Sequence, residues 1–148
     1  MPETRKQTRP IEILMVEDSP DDVELTKESL KGAKMSFKLN VAEDGVEAMD
    51  YLKREGRFAD AARPDLVLLD LKLPKKDGHE VLREIKQDKD LRRIPVIVLT
   101  TSKNEDDVTR AYDEYANCYV VKPMDLIQLI GVAKWLEDWL TVVKLPKE

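Results

Sequence analysis

The sequence predicts one α/β domain: a parallel five-stranded sheet, doubly wound in (βα)5 order, with helices on both faces. Three observations carry this. The runs Ile13-Leu14-Met15-Val16, Leu66-Val67-Leu68-Leu69, Val96-Ile97-Val98-Leu99 and Tyr119-Val120-Val121 are continuous and β-favouring, the pattern of strands buried on both faces of a parallel sheet. Segments with helix caps and helical spacing alternate with them, which implies right-handed crossovers. Each run also ends on a reactive or charged side chain: Glu17-Asp18, Asp70, Thr100 and Lys122.

The elements follow in order. After the first strand, Ser19 can cap a helix, Pro20 suits its first position, and Asp21 and Asp22 favour the positive end of its dipole. That helix should run to about Lys31, with Gly32 as its stop. Phe37 to Val41 alternates weakly and reads as the second strand. Asp44-Gly45-Val46-Glu47 resembles a capping box for a helix with Val46, Met49, Tyr51 and Leu52 inward and Gly56 as its end. Arg57 to Arg63 reads as a polar loop before the third strand, Leu66 to Leu69. Gly78 to Gln87 is the third helix, with Val81, Leu82 and Ile85 on one face.

Pro95 opens the fourth strand, where a missing amide donor does least harm. Ser102-Lys103-Asn104-Glu105 reads as a capping box for a helix to about Glu114. Asn117 to Val121 is the fifth strand, and Asp125 can cap a last helix to about Val143, with Pro146 ending the pattern. The domain is expected over 11–143, between short tails at 1–10 and 144–148.

Composition excludes several function classes. The chain has 148 residues, about one domain. A net charge of -5 and a pI of about 5.1 disfavour nucleic acid as a partner, because affinity for a phosphate backbone needs clustered Lys and Arg. One cysteine, Cys118, excludes an intrachain disulfide and a multi-cysteine zinc site, and suits a reducing cytoplasm. No apolar stretch reaches membrane-spanning length and no signal-peptide pattern opens the chain.

In open α/β sheets, ligands bind outside the carboxyl ends of the strands, so three carboxylates, a hydroxyl and a lysine should meet at one edge. That set suits a divalent cation and a phosphoryl group. Mg²⁺ takes oxygen ligands and keeps several waters; Asp18 and Asp70 can bind it directly and Glu17 through a water. Thr100 can donate to one phosphoryl oxygen, and Lys122 can pair with another as a compact charge. Asp70 is the natural nucleophile, because an attacking carboxylate forms an acyl phosphate.

These residues match a family. The chain resembles the receiver domain of two-component response regulators, a flavodoxin-like fold, through Val16-Glu17-Asp18, Leu68-Leu69-Asp70-Leu71 with Leu73-Pro74 and Asp77-Gly78, Leu99-Thr100-Thr101, and Tyr119-Val120-Val121-Lys122-Pro123. The likeness covers about Ile11 to Leu140. It implies phosphorylation of Asp70 by a histidine kinase, and Mg²⁺ at Glu17, Asp18 and Asp70 with the main-chain carbonyl of Lys72 as a further ligand. It also implies that Thr100 and Tyr119 form a switch pair, and that a cis bond joins Lys122 to Pro123, an option open mainly before proline. Thr101 and Met124 depart from the commonest receiver pattern, where a small residue and an aromatic stand. Asp70 to Gly78, the Arg57–Arg63 loop, Thr100-Thr101-Ser102 and Asn117-Cys118-Tyr119 look like the small stand-alone regulators of phytochrome-type histidine kinases, which are often dimeric.

The 26 residues after Lys122 hold one helix and a short tail, so no DNA-binding effector is expected there. The last helix carries an apolar arc wider than one buried face requires, from Leu126 to Val143. Trp135 and Trp139, four apart, stand on one side of it. They either cover the edge of the domain's own core or form a homodimer contact, and the arc's width favours the dimer. His79 is expected as a solvated first-turn residue and Cys118 as a small core residue. Lys72, Lys75 and Lys76 either steer a phosphodonor or form a solvated loop.

Two rival functions are a phosphohydrolase using Asp70 and a non-phosphorylated scaffold. Against the first, Lys72 stands two residues after Asp70, where a second carboxylate would be needed, and no inserted cap encloses a substrate. Against the second, every residue the chemistry needs is present.

Overall fold

The computed structural model describes residues 9–122, 125–142 and 145. Five strands, β1 (Ile11–Val16), β2 (Phe37–Ala42), β3 (Leu66–Leu69), β4 (Val96–Thr100) and β5 (Cys118–Val121), form one parallel sheet in the order β2-β1-β3-β4-β5. Five helices connect and cover it: α1 (Pro20–Lys31), α2 (Gly45–Lys53), α3 (Gly78–Gln87), α4 (Glu105–Asp113) and α5 (Leu126–Val142).

The two-residue period of the strands divides the core into two layers. Leu14, Val16, Val67, Leu69, Val96 and Val98 face α2, α3 and α4, where they meet Ala48, Leu52, Val81, Leu82, Ile85 and Ala111. Ile13, Met15, Leu66, Leu68 and Ile97 face the other way, toward Val23 of α1 and Leu136 and Leu140 of α5. β1, β3 and β4 are central and largely buried on both sides, which is why their sequences read as unbroken apolar runs.

The strand order reverses beside β1, between β1 and β3, and the carboxyl ends of both point into that crevice. Register makes the alignment close. Val16 pairs with Leu69, so Glu17 and Asp70 follow at the same level on neighbouring strands. The Asp70 amide donates to the Val16 carbonyl at 3.1 Å, and the Lys122 amide to the Thr100 carbonyl at 2.6 Å.

Glycines hold the loop after Asp70 close to the sheet. A Cβ at Gly78 would lie 2.3 Å from the Asp70 carbonyl oxygen and 2.5 Å from the Leu71 Cα. A Cβ at Gly45 would lie 2.1 Å from the Lys76 carbonyl oxygen. Only hydrogen fits in either place.

Local structure departs from expectation at four points. Val46 is 45% exposed rather than inward, because Gly45, pressed against Lys76, occupies the buried side of the first turn of α2. α2 ends at Lys53, not Gly56: Arg54 takes the left-handed conformation (φ 57°) and its amide returns to the Tyr51 carbonyl. The Arg57–Arg63 stretch begins in a 3₁₀ turn, Gly56–Phe58, that seats Phe58 with its ring 5.3 Å from Tyr51. α4 is capped by Asn104, which accepts from the Asp106 amide at 2.8 Å, and not by Ser102.

Three other caps are those read from sequence. Ser19 accepts from the Asp22 amide at 3.3 Å, Asp44 from Glu47 at 2.7 Å, and Asp125 from Gln128 at 2.8 Å. The Lys122–Pro123 bond and Met124 lie outside the described residues, as does Val143.

Candidate functional site: a carboxylate–lysine cluster at the strand ends

Asp70 sits at the end of β3 with a donor on each side chain oxygen. The Thr100 hydroxyl, fully buried at the end of β4, donates to Oδ1 at 2.8 Å, and the Lys72 amide reaches the same oxygen at 3.3 Å. Lys122 Nζ, arriving from the end of β5, approaches Oδ2 at 3.3 Å. Lys122 also binds Glu17 Oε1 at 2.6 Å and Asp22 Oδ2 at 2.8 Å, so one ammonium balances three carboxylates.

Burial works against the charge on Lys122. The hydrogen bonds to Asp22 and Glu17 and the charge of Asp70 outweigh it, and hold the ammonium above the ordinary lysine range. Glu17 is 2% exposed; burial pushes its carboxyl up, and Asp70's charge adds to this against the pull of Lys122 and the Ser19 amide. Negative charge is therefore costly at Glu17, and a cation placed there is favoured.

Glu17, Asp18 and Asp70 each bring a carboxylate oxygen to within 4.8 Å of the others. Asp18 is exposed and the other two are buried, so the cluster opens to solvent on one side. The donor set is all oxygen, with no histidine or cysteine, which fits a hard divalent cation. Lys72 and Thr101 are exposed at the rim.

The receiver-domain profile of response regulators matches residues 13–134. The chain belongs to that family. It is 50% identical over 135 residues to the response regulator Rcp1 of a Synechocystis strain, covering 90% of this chain and 92% of that one. Two solved structures are similar. The phosphorylated cyanobacterial phytochrome response regulator RcpA superposes with a TM-score of 0.89 at 48% identity, covering 94% of this chain and all of the other. The Mn²⁺-bound form of Rcp1 gives 0.86 at 49% identity, covering 93% and all. The protein is thus a response regulator receiver domain, with the flavodoxin-like receiver fold.

In this receiver the strand-end residues singled out in the sequence, Glu17, Asp18, Asp70, Thr100 and Lys122, come together. Tyr119 stands apart from them: its hydroxyl donates to the Ser102 carbonyl at 2.9 Å and its amide to the Tyr112 hydroxyl at 3.2 Å. Burial, with the nearby charges of Asp107 and Asp70, raises its phenol above the usual range although the Ser102 bond opposes this.

Trp135 and Trp139 stack on α5 with ring centroids 6.4 Å apart and planes 18° from parallel. Trp139 packs against the core layer under α1 and α5, and Trp135 is 41% exposed; Ile127 (81%), Ile130 and Val142 on the same helix are exposed too. A small apolar cleft lies between α1, α5 and the sheet, with Trp135 in its wall; its lining contains no acid or base. Among the described residues no helix is long and apolar enough to cross a membrane.

Two residues carry more than the sequence suggested. The sequence accounts for Asp22 as a dipole-favouring first-turn residue, yet it is the third carboxylate on Lys122. His79, expected in solvent, is 4% exposed, with Nδ1 2.6 Å from Glu114 Oε1 and Nε2 3.3 Å from Asp107 Oδ1. The signal for His79 lay in helical phase: it stands three residues before Leu82, on the side of α3 that turns toward α4.

Proposed function

We propose that Asp70 accepts a phosphoryl group from a histidine kinase phosphohistidine, and that the resulting acyl phosphate switches a protein-interaction surface. The observation that carries this is the pair of donors converging on Asp70, Thr100 Oγ1 on Oδ1 and Lys122 Nζ on Oδ2. A phosphoryl group joined to that carboxylate would find a hydroxyl and an ammonium positioned for its oxygens, the arrangement phosphoryl transfer needs. In the transfer, the phosphorus–nitrogen bond of the donor breaks as an Asp70 oxygen forms the new phosphorus–oxygen bond.

Glu17, Asp18 and Asp70, with the Lys72 carbonyl, would hold Mg²⁺. When bound, the ion neutralises charge on the transferring group. The mutual approach of three carboxylates supports this, as does the Mn²⁺ in the Rcp1 structure. Thr100 and Tyr119 would form the switch pair. Thr100 trades its bond to Asp70 for one to the phosphoryl group, and the Ser102 carbonyl that holds the Tyr119 hydroxyl lies two residues along. The protein would act as a phosphoacceptor and not as a turnover enzyme: Lys72, and not a second carboxylate, stands two residues after Asp70.

A phytochrome-type kinase is the proposed partner, on the strength of the RcpA and Rcp1 likeness. A donor charged from ATP puts the pair in the cytoplasm. The proposed output surface is a homodimer through α5 and its neighbours, supported by the exposed Ile127, Ile130 and Trp135. Incubation with a small acyl phosphate donor and Mg²⁺, followed by intact mass, tests the core of the reading. A stable single adduct is expected. Continuous donor hydrolysis without an adduct would favour the enzyme, and no reaction the scaffold.

A further inference from the structure

His79 joins the two loops that flank the phosphoacceptor. It follows Gly78, whose amide donates to the Leu71 carbonyl at 2.9 Å, so its backbone is fixed to the loop leaving Asp70. Its side chain crosses to α4, the helix that follows Thr100. Nδ1 meets Glu114 just beyond the end of α4, and Nε2 meets Asp107 in its first turn. Asp107 in turn accepts from the Ser102 hydroxyl at 2.6 Å, and the Ser102 carbonyl is the acceptor for the Tyr119 hydroxyl.

Both ring nitrogens are engaged. Each faces a carboxylate oxygen, Nδ1 that of Glu114 and Nε2 that of Asp107, with the ring 5% exposed, Glu114 10% and Asp107 33%. The charged groups around the ring are Asp107 and Glu114 on the α4 side and Asp77, whose carboxylate accepts the His79 amide at 2.7 Å. Arg83 and Arg110 are bonded to Glu114, and Lys72 lies near enough to Asp107 to act on its charge.

Burial opposes charge on Glu114, yet the bonds from His79 and Arg83 hold its carboxyl below the usual range. The Ser102 hydroxyl, with His79, does the same for Asp107 against its slight burial.

We infer that His79 is a positioning residue of the phosphoryl switch: it clamps α4 to the loop leaving Asp70 and, through Asp107, fixes the Ser102 carbonyl that receives Tyr119. The inference deepens the switch reading given above and rests on it. Movement of Thr100 toward a phosphoryl group pulls on Ser102 and Asp107, and the clamp passes that strain to α4 instead of letting the loop absorb it. Phosphorylation itself, at Asp70, does not involve His79.

His79 is the one histidine of the chain, so in the intact protein labelled with ¹⁵N-histidine its ring resonances should shift when Asp70 is phosphorylated; ring resonances that stay fixed overturn the inference without need of a variant. Amide exchange over Thr100 to Tyr119 is then measured with and without a small acyl phosphate donor. His79→Gln should accept phosphate on Asp70 at the wild-type rate and lose most of the phosphorylation-dependent change that the wild type shows. A His79→Gln response that matches the wild type throughout sinks the role of His79 and leaves the switch standing. A wild type with no phosphorylation-dependent change in the segment sinks both.

Discussion

Lys122→Met removes the ammonium from a site where it is 8% exposed and touches Glu17, Asp22 and Asp70 at 2.6, 2.8 and 3.3 Å. Glu17 is nearly as enclosed, and its carboxyl, already pushed up by burial, loses its main counter-charge. Breaking a buried ion pair by deleting one partner costs about 3–5 kcal/mol. Asp22 is a third exposed and regains water, so the lower end applies, ~3 kcal/mol. At about 2–4 °C per kcal/mol for a domain of this size, the melting temperature should fall by roughly 6–12 °C in the presence of a chelator.

Divalent cation should recover much of that loss by supplying the missing positive charge. Acid should also help the mutant. Glu17's folded pKa is raised, so the folded state binds its proton more tightly, and stability falls as pH rises from the unfolded value through the folded one; without Lys122 that window widens. The wild-type contribution of Lys122 itself has the opposite reach: it is whole below its ordinary pKa of 10.5 and disappears only above it. The assay is thermal unfolding by circular dichroism with chelator and with Mg²⁺, at neutral and mildly acidic pH. If Lys122→Met melts with the wild type in chelator, or its deficit ignores both metal and pH, the account of charge balance in the cluster is wrong.

Three further outcomes are expected. Gly78→Ala forces a methyl group against the Asp70 carbonyl and Leu71, and should cost about 1–3 kcal/mol in urea unfolding while slowing phosphorylation. Thr100→Ala should still take phosphate but lose the amide-exchange response over Thr100 to Tyr119, because the hydroxyl that ties Asp70 to that segment is gone. Trp135→Ala with Trp139→Ala should shift a sedimenting dimer to monomer without affecting Asp70, whereas a wild-type monomer at micromolar concentration would return both rings to the domain's own surface.

The fold was legible because a parallel sheet buried on both faces writes itself as apolar runs, and because β1, β3 and β4 each deliver their chemistry one residue past the run. Glu17, Asp18, Asp70, Thr100 and Lys122 were found by that position alone. Asp22 was not, since a helix start already explained it. Asp21 and Asp22 look alike as first-turn acids, and only the direction of α1 across the sheet shows that Asp22 reaches Lys122. His79 escaped because a first-turn polar residue is usually solvated, and its partners Asp107 and Glu114 lie on and just beyond a different helix. Val46 and the end of α2 were misplaced for a related reason. Gly45 packs against a distant carbonyl and Arg54 takes a left-handed turn, and neither is dictated by its neighbours in the chain.

The most direct test locates the phosphate. The intact protein is phosphorylated with a small acyl phosphate donor and Mg²⁺, reduced with borohydride, which converts an acyl-phosphorylated aspartate to homoserine, and mapped by peptide mass. The account predicts homoserine at position 70 alone, none without Mg²⁺, and none in Asp70→Asn. Homoserine at Asp18 or elsewhere in the wild type, or equal phosphate incorporation in Asp70→Asn, would contradict it.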